Sequence, residues 1–324
     1  LSADDSGPAR ILLFFIDGVG LGSSDPTVNP VAAAGLPNLR SILGGGVPLL
    51  EATESGSHHS AWASLGRADA ALGVEGRPQS GTGQAALLTG KNVASRIGRH
   101  FGPWVPTALR DLLARENLFT RTCEKGLRVG FANAYPRGHM ETGGRGTRRP
   151  AAFPLAARAA GVLSRDEFDV RRGTALTSSI TTDPWRRYVD PDAPRMTASD
   201  AGRLFASMSA SYDLLVFAHY DTDHAGHSKS LSGGIAAIER VDAFLGGVLD
   251  ALPADALLLI TSDHGNLEDV RGGHTRAPVP FLAFGPGSRK AVDRVGSITD
   301  IAPVVGDILE KLPRVARKGG YLKR

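Results

Sequence analysis

Acids and histidines in this chain stand where apolar runs end. Asp17 closes the run Leu12-Leu13-Phe14-Phe15-Ile16. Asp223 and His227 come just after Leu214-Leu215-Val216-Phe217-Ala218-His219-Tyr220, and Asp263 and His264 follow Leu257-Leu258-Leu259-Ile260-Thr261-Ser262. His274 lies in Gly272-Gly273-His274-Thr275-Arg276-Ala277-Pro278, just before the next apolar run, and can return toward the same place. Asp and His without Cys make a ligand set for zinc, manganese or iron rather than an all-oxygen calcium cage. Carboxylates and imidazoles in this number exceed what one tetrahedral ion needs, whereas two ions about 3.5–4 Å apart would use them and would neutralise a phosphoryl group between them. Asp263, His264 and His274 weigh most, because an Asp after a strand is often only a helix cap and a lone His usually only a core residue.

A nucleophile is offered by Gly76-Arg77-Pro78-Gln79-Ser80-Gly81-Thr82-Gly83-Gln84, a turn that runs into the apolar stretch Ala85–Leu88. Ser80 or Thr82 would then sit at a helix N-terminus, where amide groups and the helix dipole favour a phosphate. A metal-bound hydroxyl there would ionise near neutral pH, although an ordinary N-cap explains either residue equally well. Gly18-Val19-Gly20-Leu21-Gly22 is one position short of a dinucleotide fingerprint, and Asp17 would repel a pyrophosphate. Thr89-Gly90-Lys91 lacks the rest of a P-loop.

The elements that must position these residues read as alternating strands and helices. Buried strands are expected over Ile11–Ile16, Arg128–Asn133, Leu214–His219, Leu257–Thr261 and Val279–Phe284. Helices are expected over Thr107–Arg115, Ile235–Leu252 and Ile301–Leu312, the last capped by Thr299 or Asp300. This alternation gives an α/β fold, a doubly wound, mostly parallel sheet flanked by helices. Ligands in such a sheet gather beyond the carboxyl ends of the strands. Residues 137–197, rich in Arg, Pro, Thr and Gly, carry no strong strand and read as a small lid. The expected organisation is a discontinuous core, 9–136 and 198–324, with the lid inserted.

Bulk composition narrows the classes. A chain of 324 residues with 42% hydrophobic and 22% charged residues reads as soluble and globular, and can hold one large domain with a smaller one. The single cysteine, Cys123, excludes an intramolecular disulfide and a Cys-rich zinc site. A net charge of +4 suits anionic substrates and is too weak and too diffuse for nucleic acid. With neither an apolar run long enough to span a bilayer nor a basic start followed by an apolar stretch, the expectation is no membrane and a cytoplasmic location.

Five segments then combine into a recognisable set: Phe15-Ile16-Asp17-Gly18-Val19-Gly20, Gln79-Ser80-Gly81-Thr82-Gly83, Asp223-His224-Ala225-Gly226-His227, Ser262-Asp263-His264-Gly265-Asn266, and His274-Thr275-Arg276-Ala277-Pro278-Val279-Pro280. In this order they resemble the metalloenzyme core of the alkaline phosphatase superfamily, nearest the cofactor-independent phosphoglycerate mutase and phosphopentomutase branch. The resemblance implies one metal on Asp223, His227 and His274. It implies a second on Asp17, Asp263 and His264, with Ser80 as bridging nucleophile; manganese is expected first and zinc next. It also implies in-line transfer through a phosphoserine, then delivery of the phosphate to water or to another hydroxyl.

Three departures from the mutases bear on the outcome: Gln84 stands where they place His, 137–197 is much shorter than their cap, and the Glu-Val or Thr-Thr neighbours of their nucleophile are absent around Ser80. A small cap shields a phosphoenzyme less from water, which favours hydrolysis of a small phosphorylated metabolite. Phosphomutase, phosphodiesterase and a catalytically inactive metal-binding scaffold are the alternatives. For substrate contacts the candidates are Arg276, anchored beside His274, and the basic cluster Arg137, His139, Arg145, Arg148 and Arg149, since a guanidinium binds phosphate or carboxylate bidentately.

Overall fold

The computed structural model describes residues 7–54, 56–138 and 149–313. Strands β1 (Arg10–Ile16), β2 (His58–His59), β3 (Ala63–Ala68), β4 (Val129–Phe131), β5 (Leu214–His219), β6 (Ala256–Thr261) and β7 (Val279–Phe284) form one sheet in the order β2-β3-β7-β6-β1-β5-β4. β1 pairs in parallel with β5 and β6, and β4 pairs in parallel with β5. β7 runs antiparallel to β6, β3 to β7 and β2 to β3. The expected α/β sheet is present with a parallel centre, while the side beyond β6 is antiparallel; β2 and β3 were not anticipated.

Helices cover both faces, so β1, β5 and β6 are apolar at nearly every position rather than at every second one. Side-chain alternation still divides them. Ile11, Leu13 and Phe15 join the core under helices Ser80–Thr89 and Ile298–Glu310, and Leu12, Phe14 and Ile16 join the core under Ala198–Met208 and Leu231–Ala251. The helix Thr107–Arg115 has the bounds read from its periodicity. The last helix starts earlier than expected, because Ser297 caps it and Asp300 returns the bond as third residue of a capping box.

Within 137–197 the described residues form three short helices, Ala152–Ala159, Glu167–Arg171 and Asp183–Tyr188. The first belongs to the main core, where Phe153 packs on Phe15 and Phe131 with ring centroids 4.4 and 6.4 Å away. Val170, Ala175, Trp185 and Ala193 make a small separate cluster with Ala134. Among the described residues, no helix is long and apolar enough to cross a membrane.

Candidate metal centre

Strand direction explains how distant residues share one edge. β1, β5 and β6 end there, delivering Asp17, the helix Asp221–His227 and the turn Ser262–Asn266. β7 is antiparallel, so its beginning lies at the same edge, and His274 precedes it. β3 runs opposite to β7 and also ends there, and the chain that leaves it leads to Ser80.

At one corner four donor atoms converge. Nε2 of His264 lies 2.9 Å from Ser80 Oγ, 3.3 Å from Asp17 Oδ1 and 3.6 Å from Asp263 Oδ2. All four residues are buried, Asp263 and His264 completely. Asp17 Oδ1 and Asp263 Oδ2 accept no hydrogen bond, although an orphaned buried carboxylate oxygen is costly. Burial, reinforced by the Asp223 charge, pushes the Asp17 carboxyl well above its ordinary range; burial and the Asp17 charge do the same to Asp263. A divalent cation would resolve both the missing partners and the repulsion, so the residues fit a metal.

At the second corner, His274 Nε2 lies 3.0 Å from His227 Nε2 and 3.5 Å from Asp223 Oδ1, and His227 Nε2 is 3.3 Å from Asp223 Oδ2. His274 Nδ1 faces the Pro78 carbonyl at 2.8 Å. That carbonyl can only accept, so the Nδ1 proton is held there and the Nε2 lone pair of the neutral ring points inward, as in a ligating histidine. Burial raises the Asp223 pKa, but the adjacent imidazoles of His274, His264 and His227 and the hydrogen bond from Asn266 outweigh it and hold the carboxyl below its ordinary range. The two corners adjoin, with the His264 and His274 rings stacked at 4.0 Å. Asp223, His264 and His274 form one compact ligand group; Asp17, Asp263 and His264 form another.

The backbone is shaped to allow this. Gly18 adopts φ +69°, and a Cβ there would lie 2.5 Å from Asp223 Oδ1. Helix Ser80–Thr89 lies directly against the turn Ser262–Asn266, where a Cβ on Gly83 would lie 2.8 Å from the Asp263 carbonyl. Sequence reasoning assigned no role to three residues that hold the ligands. Asn266 donates to Asp223 Oδ1 at 2.6 Å, and Gln84 donates to Asp17 Oδ2 at 3.0 Å. Buried Glu268 accepts from the amides of Gly20 and Asn266 and from the Thr275 hydroxyl, tying together the three ligand-bearing loops. Asn266 and Glu268 lie three and five residues past Asp263, a proximity that was the available signal.

The other candidates fall differently. The Thr82 hydroxyl is committed to the carbonyls of Gln79 and Phe101, at 3.2 and 3.4 Å, and to the Phe101 amide. Arg276 donates to the carbonyls of Val74 and Gly76 instead of facing the ligands. Arg137 pairs with Asp166 at 2.8 Å and covers the Phe168 ring. His139, Arg145 and Arg148 lie outside the described residues. A cavity of about 570 Å³ opens on Asp17, Ser80, Gln84 and Asp223, and Arg110, Arg149 and Arg158 contribute to its walls. Of these three, only Arg149 was singled out from the sequence.

A family model described as the Metalloenzyme superfamily matches residues 191–312. The 2,3-bisphosphoglycerate-independent phosphoglycerate mutase of Desulforudis audaxviator is 36% identical over 124 residues, 36% of this chain and 24% of that protein. The same enzyme of Paracoccus denitrificans is 39% identical over 127 residues, 36% of this chain and 25% of that protein. The chain thus spans about a quarter of the length of these curated relatives. The alkaline phosphatase of the Antarctic bacterium TAB5 shares the fold, with a TM-score of 0.54 over 94% of this chain and 98% of that chain at 16% identity. Over residues 191–312 the chain is thus similar to metalloenzymes that include the cofactor-independent phosphoglycerate mutases, and as a whole it shares the fold of an alkaline phosphatase.

Proposed function

We propose that this chain is a two-metal phosphoryl-transfer enzyme that hydrolyses a small phosphomonoester through a phosphoserine at Ser80. The observation that carries this reading is the 2.9 Å approach of Ser80 Oγ to His264 Nε2, beside the unpartnered oxygens of Asp17 and Asp263. Asp17, Asp263 and His264 would hold one ion; Asp223, His227 and His274 would hold the other. Manganese is the first candidate and zinc the second. Two such ions supply charge neutralisation for the transferring phosphoryl group and a lowered pKa for the serine hydroxyl.

The protein's own residues do the rest. Ser80 gives up its proton to solvent water, and its oxygen bonds to phosphorus as the ester oxygen leaves with the bonding pair and takes a proton from solvent in turn. A second water then attacks phosphorus, Ser80 leaves and regains a proton, and inorganic phosphate departs. The N-terminus of helix Ser80–Thr89 favours the negative charge placed there. Gln84 and Asn266 keep the carboxylates aimed while this happens. Thr82, with its hydroxyl held by backbone, is the weaker nucleophile candidate.

Hydrolysis takes precedence over mutase chemistry because the second corner is wet: the His227 side chain is 52% exposed. Phosphomutase remains the second reading, favoured by the mutase relatives. Metal-stripped protein reconstituted separately with Mn²⁺ and Zn²⁺, and offered phosphoglycerates, sugar phosphates and an aryl phosphate, tests this. Metal-dependent phosphate release that Ser80→Ala abolishes is expected. Isomerised substrate without phosphate would replace hydrolysis by the mutase reading, and neither product would leave a metal-binding scaffold.

A further inference from the structure

The loop that delivers Ser80 is held by side chains of the loop that carries His274. Residues 73–79 form neither helix nor strand, so their carbonyls must find partners outside a regular ladder. The carbonyls of Val74, Gly76 and Pro78, every second residue, accept from two side chains. Arg276 Nη1 donates to Val74 at 3.1 Å and also to Gly76, and His274 Nδ1 donates to Pro78 at 2.8 Å. Arg77 returns one bond, to the Gly272 carbonyl at 2.7 Å. Gly76 bends the loop at φ +95°, a conformation that residues with a Cβ rarely adopt. Loop 272–276 is fixed in turn from its other side. Thr275 pairs with Gly265 in an antiparallel bridge, its amide 2.9 Å from the Gly265 carbonyl, and its hydroxyl donates to Glu268. Successive side chains of an extended segment point to opposite sides. His274 and Arg276 therefore face the nucleophile loop, while Thr275 between them faces the turn Ser262–Asn266.

Resting on the phosphoryl-transfer reading above, we infer that Arg276 is a positioning residue for the nucleophile, clasping 73–79 to the His274 loop so that Ser80 and the proposed ligand His274 are placed as one unit. A charged donor holds a carbonyl more strongly than a neutral one, and here a single guanidinium nitrogen holds two. The Pro78 carbonyl fixes the His274 ring through Nδ1, the kind of outer bond that orients a ligating histidine. Pro78 also precedes Ser80 by only two residues. A drift of 73–79 thus moves the Ser80 hydroxyl and turns the His274 ring together. Attack on phosphorus tolerates little of this, since misplacement by about 1 Å can cost a hundredfold in rate. The guanidinium is committed to the protein's own backbone, so its part in the reaction is to aim the serine rather than to bind the substrate.

The test compares Arg276→Met with wild type; Arg276 is exposed, so its replacement leaves the core intact. In metal-free protein, amide hydrogen exchange over 73–79, read by mass spectrometry, should quicken at least about tenfold. In a calorimetric titration with Mn²⁺, one of the two dissociation constants should rise about tenfold. With both ions saturating and 4-nitrophenyl phosphate as substrate, kcat should fall about ten- to a hundredfold while KM changes less than about twofold. Arg276→Lys, which keeps a charged donor, should retain more of kcat than Arg276→Met. Arg271→Met, just before the same loop but paired with Asp269, should leave all three readouts at wild-type values. Wild-type exchange over 73–79 in Arg276→Met, wild-type affinity for both ions, or a raised KM at unchanged kcat, as for a substrate contact, overturns this inference and leaves phosphoryl transfer intact. Turnover of no ester by the wild type removes the phosphoryl-transfer reading, and exchange and Mn²⁺ affinity then still decide whether Arg276 holds the loop.

Discussion

Ser80, Asp17 and Asp263 illustrate how far single side chains carry the chemistry. Removing the hydroxyl in Ser80→Ala should lower phosphate release by at least about a thousandfold, because the residue is the proposed covalent acceptor. Quenched wild-type enzyme should carry a phosphate on Ser80, read by mass spectrometry, and the variant should carry none. Asp263 makes an opposite prediction for metal-free protein. Its folded pKa is raised, first by burial and then by Asp17, so above the ordinary aspartate range the native state opposes an ionisation that the unfolded chain undergoes freely. Below the ordinary aspartate range both folded and unfolded chains are protonated and nothing is lost. As pH rises from there through the raised folded value, the penalty grows. Asp263→Asn should therefore melt a few degrees above wild type at pH 7 without metal, an advantage that vanishes near pH 3.5. An equal difference at both pH values would contradict the assignment.

At the scale of elements, the site depends on helix Ser80–Thr89 lying against the turn that carries Asp263 and His264. Gly83→Ala places a methyl 2.8 Å from the Asp263 carbonyl, which forces helix and turn apart. Overpacking of this kind costs about 1–3 kcal/mol, or roughly 1.5–5 °C of melting temperature in a chain of this size. Activity should fall more than stability alone explains, because Ser80 moves with the helix. Ser297→Ala is the matching control. It breaks the capping box of the last helix and should cost about 1 kcal/mol, with kcat unchanged. Measuring melting temperature and kcat side by side on both variants separates positioning from stability.

For the whole molecule, the metal ions are expected to act as structural ligands as well as catalytic ones. The proposed ligands come from positions as far apart as Asp17 and His274, so only the folded chain assembles them. A ligand that binds the native state alone stabilises it by mass action, about 4 kcal/mol at a thousand times its dissociation constant. Chelation should lower the melting temperature at pH 7 by roughly 6 °C, with Mn²⁺ or Zn²⁺ restoring it in calorimetry. The same stripped protein should keep its far-ultraviolet circular dichroism at 20 °C, because the apolar strands and their helices form the core without the ions.

Local chemistry made much of this legible from the chain alone. An apolar run buried on both faces needs no partner to be recognised as a central strand, so β1, β5, β6 and β7 could be read directly, and the polar residues bounding them drew attention as ligands. Two-residue β2 leaves no such mark, and β3, Ala-Ser-Leu-Gly-Arg-Ala, has too little apolar character to stand out. Strand direction was equally hidden, because β7 has the same apolar composition whether it runs with β6 or against it. Tertiary structure alone set that direction, which brings His274 to the edge where Asp17 and Asp223 stand. It alone turned Arg276 and Arg137 to other partners while bringing Arg110 and Arg158 to the cavity wall. Ligands beside strand ends are fixed by neighbours in sequence; the residues around a substrate are fixed by which helices pack together, and one chain's local pattern does not encode that contact.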